Sequence, residues 1–303
     1  MKKHLMTAVK IVFLLLVCGF LGNYFYQNRE TIRNLDWNID KISLLLSFLF
    51  YFLYMISLAS LWHFITKLNQ CAVSWSEALK AYFYSIPGKY IPGKVFMLAA
   101  RFPAYENAGK SLAKVTVCFF LENICTLLGA AFLFVISLFF FPNDLLVNYR
   151  YAVILLIILF FIFIHPKILN FFLRTAGKLI KKDIQIPVSY PEMLRTVLLF
   201  IINWLAAGTG FYLLVHAVYP VPASQWLYTG GIYGLSTIIG ILALFAPSGL
   251  GVREGILTAG LLLIMPEEYA VTISLISRLW QTVAEILLVS GTFLLHQILK
   301  RIK

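Results

Sequence analysis

Four polar side chains recur along one face of the last apolar stretch of the chain. They are Ser274, Arg278, Gln281 and Glu285. Their separations of four, three and four residues align them on one side of an α-helix. A guanidinium on such a face can bind a phosphate through two parallel hydrogen bonds, and a carboxylate can balance that charge or bind a cation. The face therefore predicts either a buried structural ion pair or a polar cavity that receives a charged group.

Three further charges interrupt or border apolar stretches: Glu122, Arg253 and Glu254. A charge at the centre of a bilayer costs about 2.5–3.5 kcal/mol even on a lenient insertion scale, so we expect these side chains to face the interior of a helix bundle. Arg278 and Glu285 are two helical turns apart, so each needs a partner on another helix. Glu122 and Glu254 are the candidates for Arg278. We predict that Arg253 and Arg278 bind a phosphate group, while the three glutamates balance them or meet a cationic part of the ligand.

The segment SIPGKYIPGK at residues 85–94 interrupts the chain twice with proline and glycine. Proline removes a backbone donor and disfavours the helical conformation of the preceding residue, so this segment cannot form one straight helix. Within the hydrocarbon core, broken backbone survives only where protein or water satisfies its polar groups. We therefore predict a re-entrant or interfacial turn that leads into a short helix at 94–100. The candidate binding residues here are Lys89, Pro92, Gly93, Lys94 and Arg101.

A second interruption, FAPSGLGVREG, occupies residues 245–255. Pro247, Gly249 and Gly251 end one apolar stretch, and a helix that begins near Arg253 would direct its free N–H groups toward the interruption, where an anion can bind. Broken segments in both halves of a membrane protein are typical of a transporter's substrate site. We expect both segments to dip into the membrane and to approach each other. The alternative is that both are simple turns at the membrane edge.

The composition indicates which elements must position these side chains. The chain of 303 residues is 61% hydrophobic and 13% charged, about half the charge of a soluble domain. Its apolar runs are continuous rather than alternating, which favours helices over an outer-membrane barrel. The sequence predicts an all-α polytopic membrane protein with a single domain, 1–303, and two broken half-helix or re-entrant segments. The eight hydrophobic segments are 7–26, 42–65, 115–141, 151–165, 196–218, 226–246, 253–266 and 269–297.

Lysine and arginine are distributed unevenly among the predicted loops. If the eight segments all span, 19 of the 25 basic residues lie on one side of the membrane, and four lie on the other. Because basic loops stay in the cytoplasm, both termini are predicted to be cytoplasmic, in a multi-pass protein of the plasma (inner) membrane. The net charge of +12 then belongs to a face that attracts anionic lipids, and it requires no nucleic-acid partner.

The N-terminal sequence MKKHLMTAVKIVFLLLVCGFLG has the basic start and apolar continuation of a secretory signal. Val17 is bulky where a lipoprotein cleavage site requires a small residue, and the apolar run continues past Cys18. We therefore interpret this stretch as an uncleaved first membrane helix. The four cysteines show neither metal-ligand spacing nor a disulfide framework, so no metal and no cofactor are predicted.

Three sequence elements resemble the membrane region of the lysylphosphatidylglycerol synthases, a family that includes many stand-alone flippase-like proteins. The elements are GKYIPGKVFMLAAR, APSGLGVREG and SRLWQ, and the resemblance covers nearly the whole chain. It implies transfer of an aminoacylated phospholipid from the inner to the outer leaflet. Because the chain ends in KRIK without the family's aminoacyl-transferase domain, we expect that it does not make lysyl lipid and that its cargo could be another lipid. The positions that match the family are Pro92, Gly93, Lys94, Pro247, Gly249, Gly251, Arg253, Glu254 and Arg278.

Three functions remain open at this point. The first is a lipid translocase, whose partner would be an anionic or aminoacylated phospholipid or a polyprenyl-phosphate lipid; a homo-oligomer is compatible with this function. The second is an enzyme of polyprenyl-linked sugar transfer, for which Glu30, Asp36 and Asp40 form the only acidic cluster on a predicted external loop. The third is an accessory subunit of a separate lipid-modifying enzyme. The sequence contains no nucleotide-binding motif, so a translocase would depend on a gradient, on coupling or on downhill movement.

Overall fold

The computed structural model describes residues 37–90, 95–139, 150–179, 188–243 and 249–302, together with the single positions 19, 22, 26, 29, 30 and 185. All regular structure in this part of the chain is helical, in agreement with the predicted class. Two short 3₁₀ turns, Ile86–Tyr90 and Ala223–Gln225, accompany the α-helices. The helices that lie within these ranges are α1 (Lys41–Leu68), α2 (Trp75–Ser85), α3 (Val95–Glu106), α4 (Leu112–Phe139), α5 (Arg150–Phe163), α6 (Pro166–Leu179), α7 (Tyr190–Val218), α8 (Trp226–Leu242), α9 (Val252–Leu261) and α10 (Glu267–Ile302).

Four of these helices, α1, α4, α7 and α10, are long and apolar enough to cross a membrane. Each has at least 28 residues, so each exceeds the roughly 30 Å of a hydrocarbon core. Together they identify a membrane protein. The predicted count of eight spans is not confirmed, because α5, α8 and α9 have only 14, 17 and 10 residues. The predicted first segment, 7–26, lies almost entirely outside the described residues.

Side-chain caps fix where several helices begin. Capping boxes are present at the starts of α2 and α7, where Glu77 accepts a hydrogen bond from the backbone of Ser74 and Glu192 accepts one from that of Ser189. Asp40 caps α1 by accepting from the Ile42 backbone at 3.0 Å. The hydrogen bond that Ser43 donates to it lowers the pKa of Asp40 below its ordinary value.

The bundle packs around α7, which contacts α1, α4, α8 and α10. Close approach depends on small residues: a Cβ added to Gly230 of α8 would lie 3.0 Å from the Cα of Gly208 in α7. One turn further along α8, a Cβ on Gly234 would lie 3.1 Å from the carbonyl oxygen of Ala130 in α4. Gly230 and Gly234 therefore allow close helix packing, and α8 lies deep in the bundle beside α4 and α7.

The first interruption breaks the helical path as predicted. Helix α2 ends at Ser85, and the backbone tightens into the 3₁₀ turn Ile86–Tyr90. The next helix does not end near Arg101 as expected: α3 continues through Pro103 to Glu106. It continues because proline removes only one donor, and the Pro103 carbonyl still accepts from the backbone of Asn107 at 3.1 Å. Pro92, Gly93 and Lys94 lie outside the described residues, so a re-entrant path is not confirmed.

Candidate functional site

A cavity of about 130 Å³ lies inside the bundle, where both interrupted regions meet the long helices. Its polar lining includes five of the residues singled out in the sequence, and its aromatic lining comes from α1, α2, α7 and α8. Those five are Lys89, Glu122, Arg253, Gln281 and Glu285, and the other polar residues of the lining are Asn123, Thr126 and Thr237. The aromatic residues are Tyr51, Tyr54, Tyr82, Trp204 and Tyr233. The cavity is smaller than the roughly 300–1,000 Å³ of drug-sized pockets, so it suits a small polar group.

A chain of hydrogen bonds crosses this cavity along the polar face of α10. Arg253 donates through Nη1 to Oε1 of Gln281 at 2.5 Å, and Nε2 of Gln281 donates to Oε1 of Glu285 at 3.0 Å. The same oxygen of Glu285 accepts from the hydroxyl of Tyr51 at 3.1 Å, and Glu285 forms an ion pair with Lys89. Lys89 belongs to the first interrupted region and Arg253 to the second, so α10 connects the two.

Glu122 has a different partner from the one considered for it. Its carboxylate pairs with Arg101, with Oε2 of Glu122 2.5 Å from Nη1 of Arg101, and both side chains are buried. Arg101 also donates from Nε to the hydroxyl of Ser85 at 3.1 Å, and its guanidinium lies 4.1 Å from the ring centroid of Trp62 and 4.5 Å from that of Tyr82. Arg101 therefore does not face the cavity; it fixes the orientation of Glu122, which does.

Arg278 is likewise engaged by the protein. It pairs with Glu254, whose other oxygen accepts from the backbone N–H of Gly251 at 2.8 Å at the start of α9. Glu254 therefore binds both the N-terminus of α9 and the side chain of Arg278 in α10. Of the two candidate partners for Arg278, Glu254 is the one that forms the ion pair. Arg278 is absent from the described lining of the cavity, and the expectation that it shares a phosphate with Arg253 stays a prediction.

The charge balance of the buried groups singles out Arg253. Described residues in the interior supply the cations Lys89, Arg101, Arg253 and Arg278, and the carboxylates Glu122, Glu254 and Glu285. Each carboxylate pairs with one of the other three cations. Arg253 is 5% exposed; it donates to the neutral Gln281, and its guanidinium lies 4.7 Å from the ring centroid of Tyr233. Glu254 and Tyr233 also attract its charge. Its Nε and Nη2 groups are buried and lack a hydrogen-bond partner in the described part of the chain.

The second interruption shapes the start of α9, which carries Arg253. Gly249 and Gly251 have φ values of +69° and +81°, in the left-handed region that other residues rarely adopt. A Cβ at Gly249 would also lie 2.6 Å from the Cα of Gly240 in α8. Both glycines are therefore required by the backbone and do not by themselves indicate contact with a ligand. Pro247 lies outside the described residues.

We expect Gly249→Ala to destabilise the protein, because the alanine methyl group meets the backbone of Gly240 and the positive φ costs roughly 1–2 kcal/mol. Thermal unfolding in detergent should show a lowered midpoint. The matched control is Gly255→Ala, a helical glycine with no atom within 4 Å of its added Cβ, which should unfold at the wild-type temperature or slightly above it. Equal midpoints for the two variants would show that the contact between Gly249 and Gly240 is not tight.

Sequence reasoning missed the aromatic wall of the cavity. Tyr233 stacks on Phe211 with ring centroids 4.6 Å apart, and its ring also supports the guanidinium of Arg253. Tyr51 lies 4.6 Å from Trp280, again between ring centroids. Because aromatic residues make up 16% of the chain, no pattern marked these positions. For the same reason, no sequence pattern distinguished Trp204 from the other aromatic residues of the chain.

Comparison with protein-family models gives one match over nearly the whole chain. The model described as "Lysylphosphatidylglycerol synthase TM region" matches residues 6–288. No curated protein matches the chain. The matched range includes every residue that lines the cavity.

Proposed function

Since the chain belongs to the family of the lysylphosphatidylglycerol synthase transmembrane region, with a membrane role related to lipids, we propose that it is a translocase that moves a phospholipid or lipid-linked head group between leaflets. The cavity is the proposed head-group site. At about 130 Å³ it can take a phosphate-bearing group but not the acyl chains, which would remain in the bilayer.

The observation that carries this proposal is the buried Arg253, which forms no ion pair with a described carboxylate. A charge in a low-dielectric interior is costly, and the cost falls when an opposite charge with good hydrogen-bonding geometry arrives. A phosphate oxygen pair matches the Nε and Nη2 donors of a guanidinium, which form a planar fork. The ligand would thereby complete both the charge balance and the hydrogen bonding of this side chain.

The two carboxylates in the wall, Glu122 and Glu285, are held by Arg101 and Lys89. They lie in the same cavity as Arg253. A head group with a positive group beside its phosphate would therefore pair its phosphate with Arg253 and its positive group with one of the two carboxylates.

The described carboxylates of the acidic cluster considered for a sugar transferase, Glu30 and Asp40, contact residues outside the cavity. Asp40 caps α1, and Glu30 pairs with Arg29 at 3.8 Å. Asp36 lies outside the described residues. Neither described carboxylate lines the cavity, so the cavity favours the translocase over the transferase.

The purified protein in proteoliposomes provides the test. We expect it to accelerate the leaflet exchange of a fluorescent phospholipid, measured by quenching from outside, relative to protein-free vesicles. Transfer of sugar from a polyprenyl-linked donor without lipid exchange would support an enzyme instead. Stimulation of a separate lipid synthase, again without exchange by the protein alone, would support an accessory subunit.

For this translocase we propose a plasma-membrane location with both termini in the cytoplasm, based on the uneven loop charge. In a background without the native cysteines, Asn38→Cys should react with an impermeant maleimide added to intact cells. Asn107→Cys, also exposed in the structure, should react only after the cells are opened. The reverse pattern would contradict the orientation.

A further inference from the structure

A second open space lies at the seam between α2 and α10. It is a groove of about 520 Å³ lined by Tyr84, Val289, Ser290, Phe293 and Leu294. Residues 285, 289 and 293 are four apart on α10, so the groove lies along the helix face that presents Glu285 to the cavity. The Lys89–Glu285 ion pair, which lines the cavity, joins the chain just after α2 to α10.

The groove is apolar except for two hydroxyl groups. Phe293 and Leu294 are 51% and 61% exposed, as expected of a wall that contacts hydrocarbon. The hydroxyl of Tyr84 is buried and has no hydrogen-bond partner among the described residues. Ser290 supplies the second hydroxyl. A hydroxyl in an apolar environment is costly unless an acceptor reaches it, so the buried Tyr84 hydroxyl indicates a ligand that carries acceptors into an apolar groove.

Cations stand at both ends of this seam. Lys89 lies at the cavity end, in its pair with Glu285. At the other end, the amino group of Lys80 is 2.8 Å from Nε2 of His296 and 5.9 Å from the ring centroid of Tyr84. The order along the seam is therefore a cation, two hydroxyl groups among apolar side chains, and the charged cavity. A lipid phosphate that moved along the seam would therefore lie near Lys80 at one end and near Lys89 at the other.

Building on the proposed function, we infer that the α2–α10 seam is the lipid's path to the cavity and that it binds the glycerol-ester region of a diacyl phospholipid. The hydroxyls of Tyr84 and Ser290 donate to the ester carbonyls, and Val289, Phe293 and Leu294 contact the acyl chains. A polyprenyl phosphate has the phosphate and the hydrocarbon but no ester carbonyl, so it would leave the Tyr84 hydroxyl unsatisfied. The groove therefore selects a glycerophospholipid from the lipid classes that the cavity alone would accept.

The test compares two synthetic phospholipids with one head group, a diacyl ester and a dialkyl ether, in the same proteoliposomes. Tyr84→Phe and Ser290→Ala should each slow exchange of the ester lipid by about twofold to tenfold, the range expected for one lost neutral hydrogen bond. Exchange of the ether lipid should not change. Because both lipids report on one protein preparation, a loss of folded protein would lower both rates together and cannot imitate this result.

A third variant tests the path itself. Val289→Trp should fill the groove and slow exchange of both lipids, whereas Leu287→Trp, at a position 55% exposed on the same helix, should leave both rates near wild type. If Tyr84→Phe and Ser290→Ala alter the two lipids equally or not at all, ester recognition is refuted. If Val289→Trp exchanges lipid at the wild-type rate, the seam is not the path. Absence of exchange by the wild-type protein would instead overturn the proposed function.

Discussion

Arg253→Gln should lower phospholipid exchange by about 10-fold to 150-fold, the effect of losing one charge-assisted interaction with an anion. Gln retains a donor toward Gln281 but removes the positive charge and the paired donors that face the cavity. The measurement is exchange of a labelled phospholipid in proteoliposomes. Arg253→Lys keeps the charge without the planar fork, so we expect an intermediate loss. The control is Arg195→Gln, which removes an exposed arginine outside the cavity and should leave exchange unchanged.

The stability of the same variants separates binding from structure. Arg253 forms no ion pair with a carboxylate among the described residues, so replacing it by a neutral residue removes a buried charge without breaking an ion pair. The midpoint of thermal unfolding in detergent should therefore be unchanged or raised in Arg253→Gln. A variant that loses exchange and folded protein in equal measure would show that Arg253 supports the fold instead. Undiminished exchange would refute its role with the phosphate.

The largest effect on stability should come from the pair of Arg101 and Glu122. Glu122→Gln leaves the fully buried guanidinium of Arg101 without its carboxylate, which costs about 3–5 kcal/mol for pairs of this kind. Thermal or denaturant unfolding in detergent should show this loss. The matched control is Glu106→Gln, an exposed carboxylate at the end of α3, which should stay within about 0.5 kcal/mol of wild type.

A double variant examines the cause of that loss. Arg101→Leu combined with Glu122→Leu removes both charges, so it should be more stable than Glu122→Gln alone, because no unpaired charge remains buried. If Glu122→Gln proves as stable as Glu106→Gln, the pair is solvated and the site is wetter than the structure indicates. If the double variant is the least stable of the three, shape rather than charge dominates at this position.

Helical periodicity accounts for the part of the site that the sequence predicted well. The face of α10 could be predicted because 3.6 residues per turn relate sequence spacing directly to direction. Ser274 contacts Thr258 through their hydroxyls at 3.0 Å, and the other three residues bond to Glu254, Arg253 and Lys89. These partners all belong to segments other than α10. The requirement for partners followed from the cost of buried charge, which depends little on the details of the fold.

Partner identity could not be predicted in the same way. Glu122 was a candidate for Arg278, but the fold places it beside Arg101, on a helix that was expected to end at that residue. That choice depends on how α2 and α3 fold back against α1 and α4, which is decided by long-range packing. The aromatic wall and the α2–α10 groove depend on the same packing. The count of eight spans stays a prediction, because an apolar stretch can be a short buried helix, as in α9, as well as a crossing.

The most direct test of the head-group site is an experimental structure of the protein in nanodiscs that contain a glycerophospholipid. We predict phosphate density in the cavity, with oxygens at about 2.7–2.9 Å from Nε and Nη2 of Arg253 and the glycerol backbone directed toward the α2–α10 seam. The contradicting result is a well-resolved cavity without phosphate, in which those two donors bind a carboxylate or carbonyl of the protein itself. Arg253 would then be a structural residue, and the cavity would not be a head-group site.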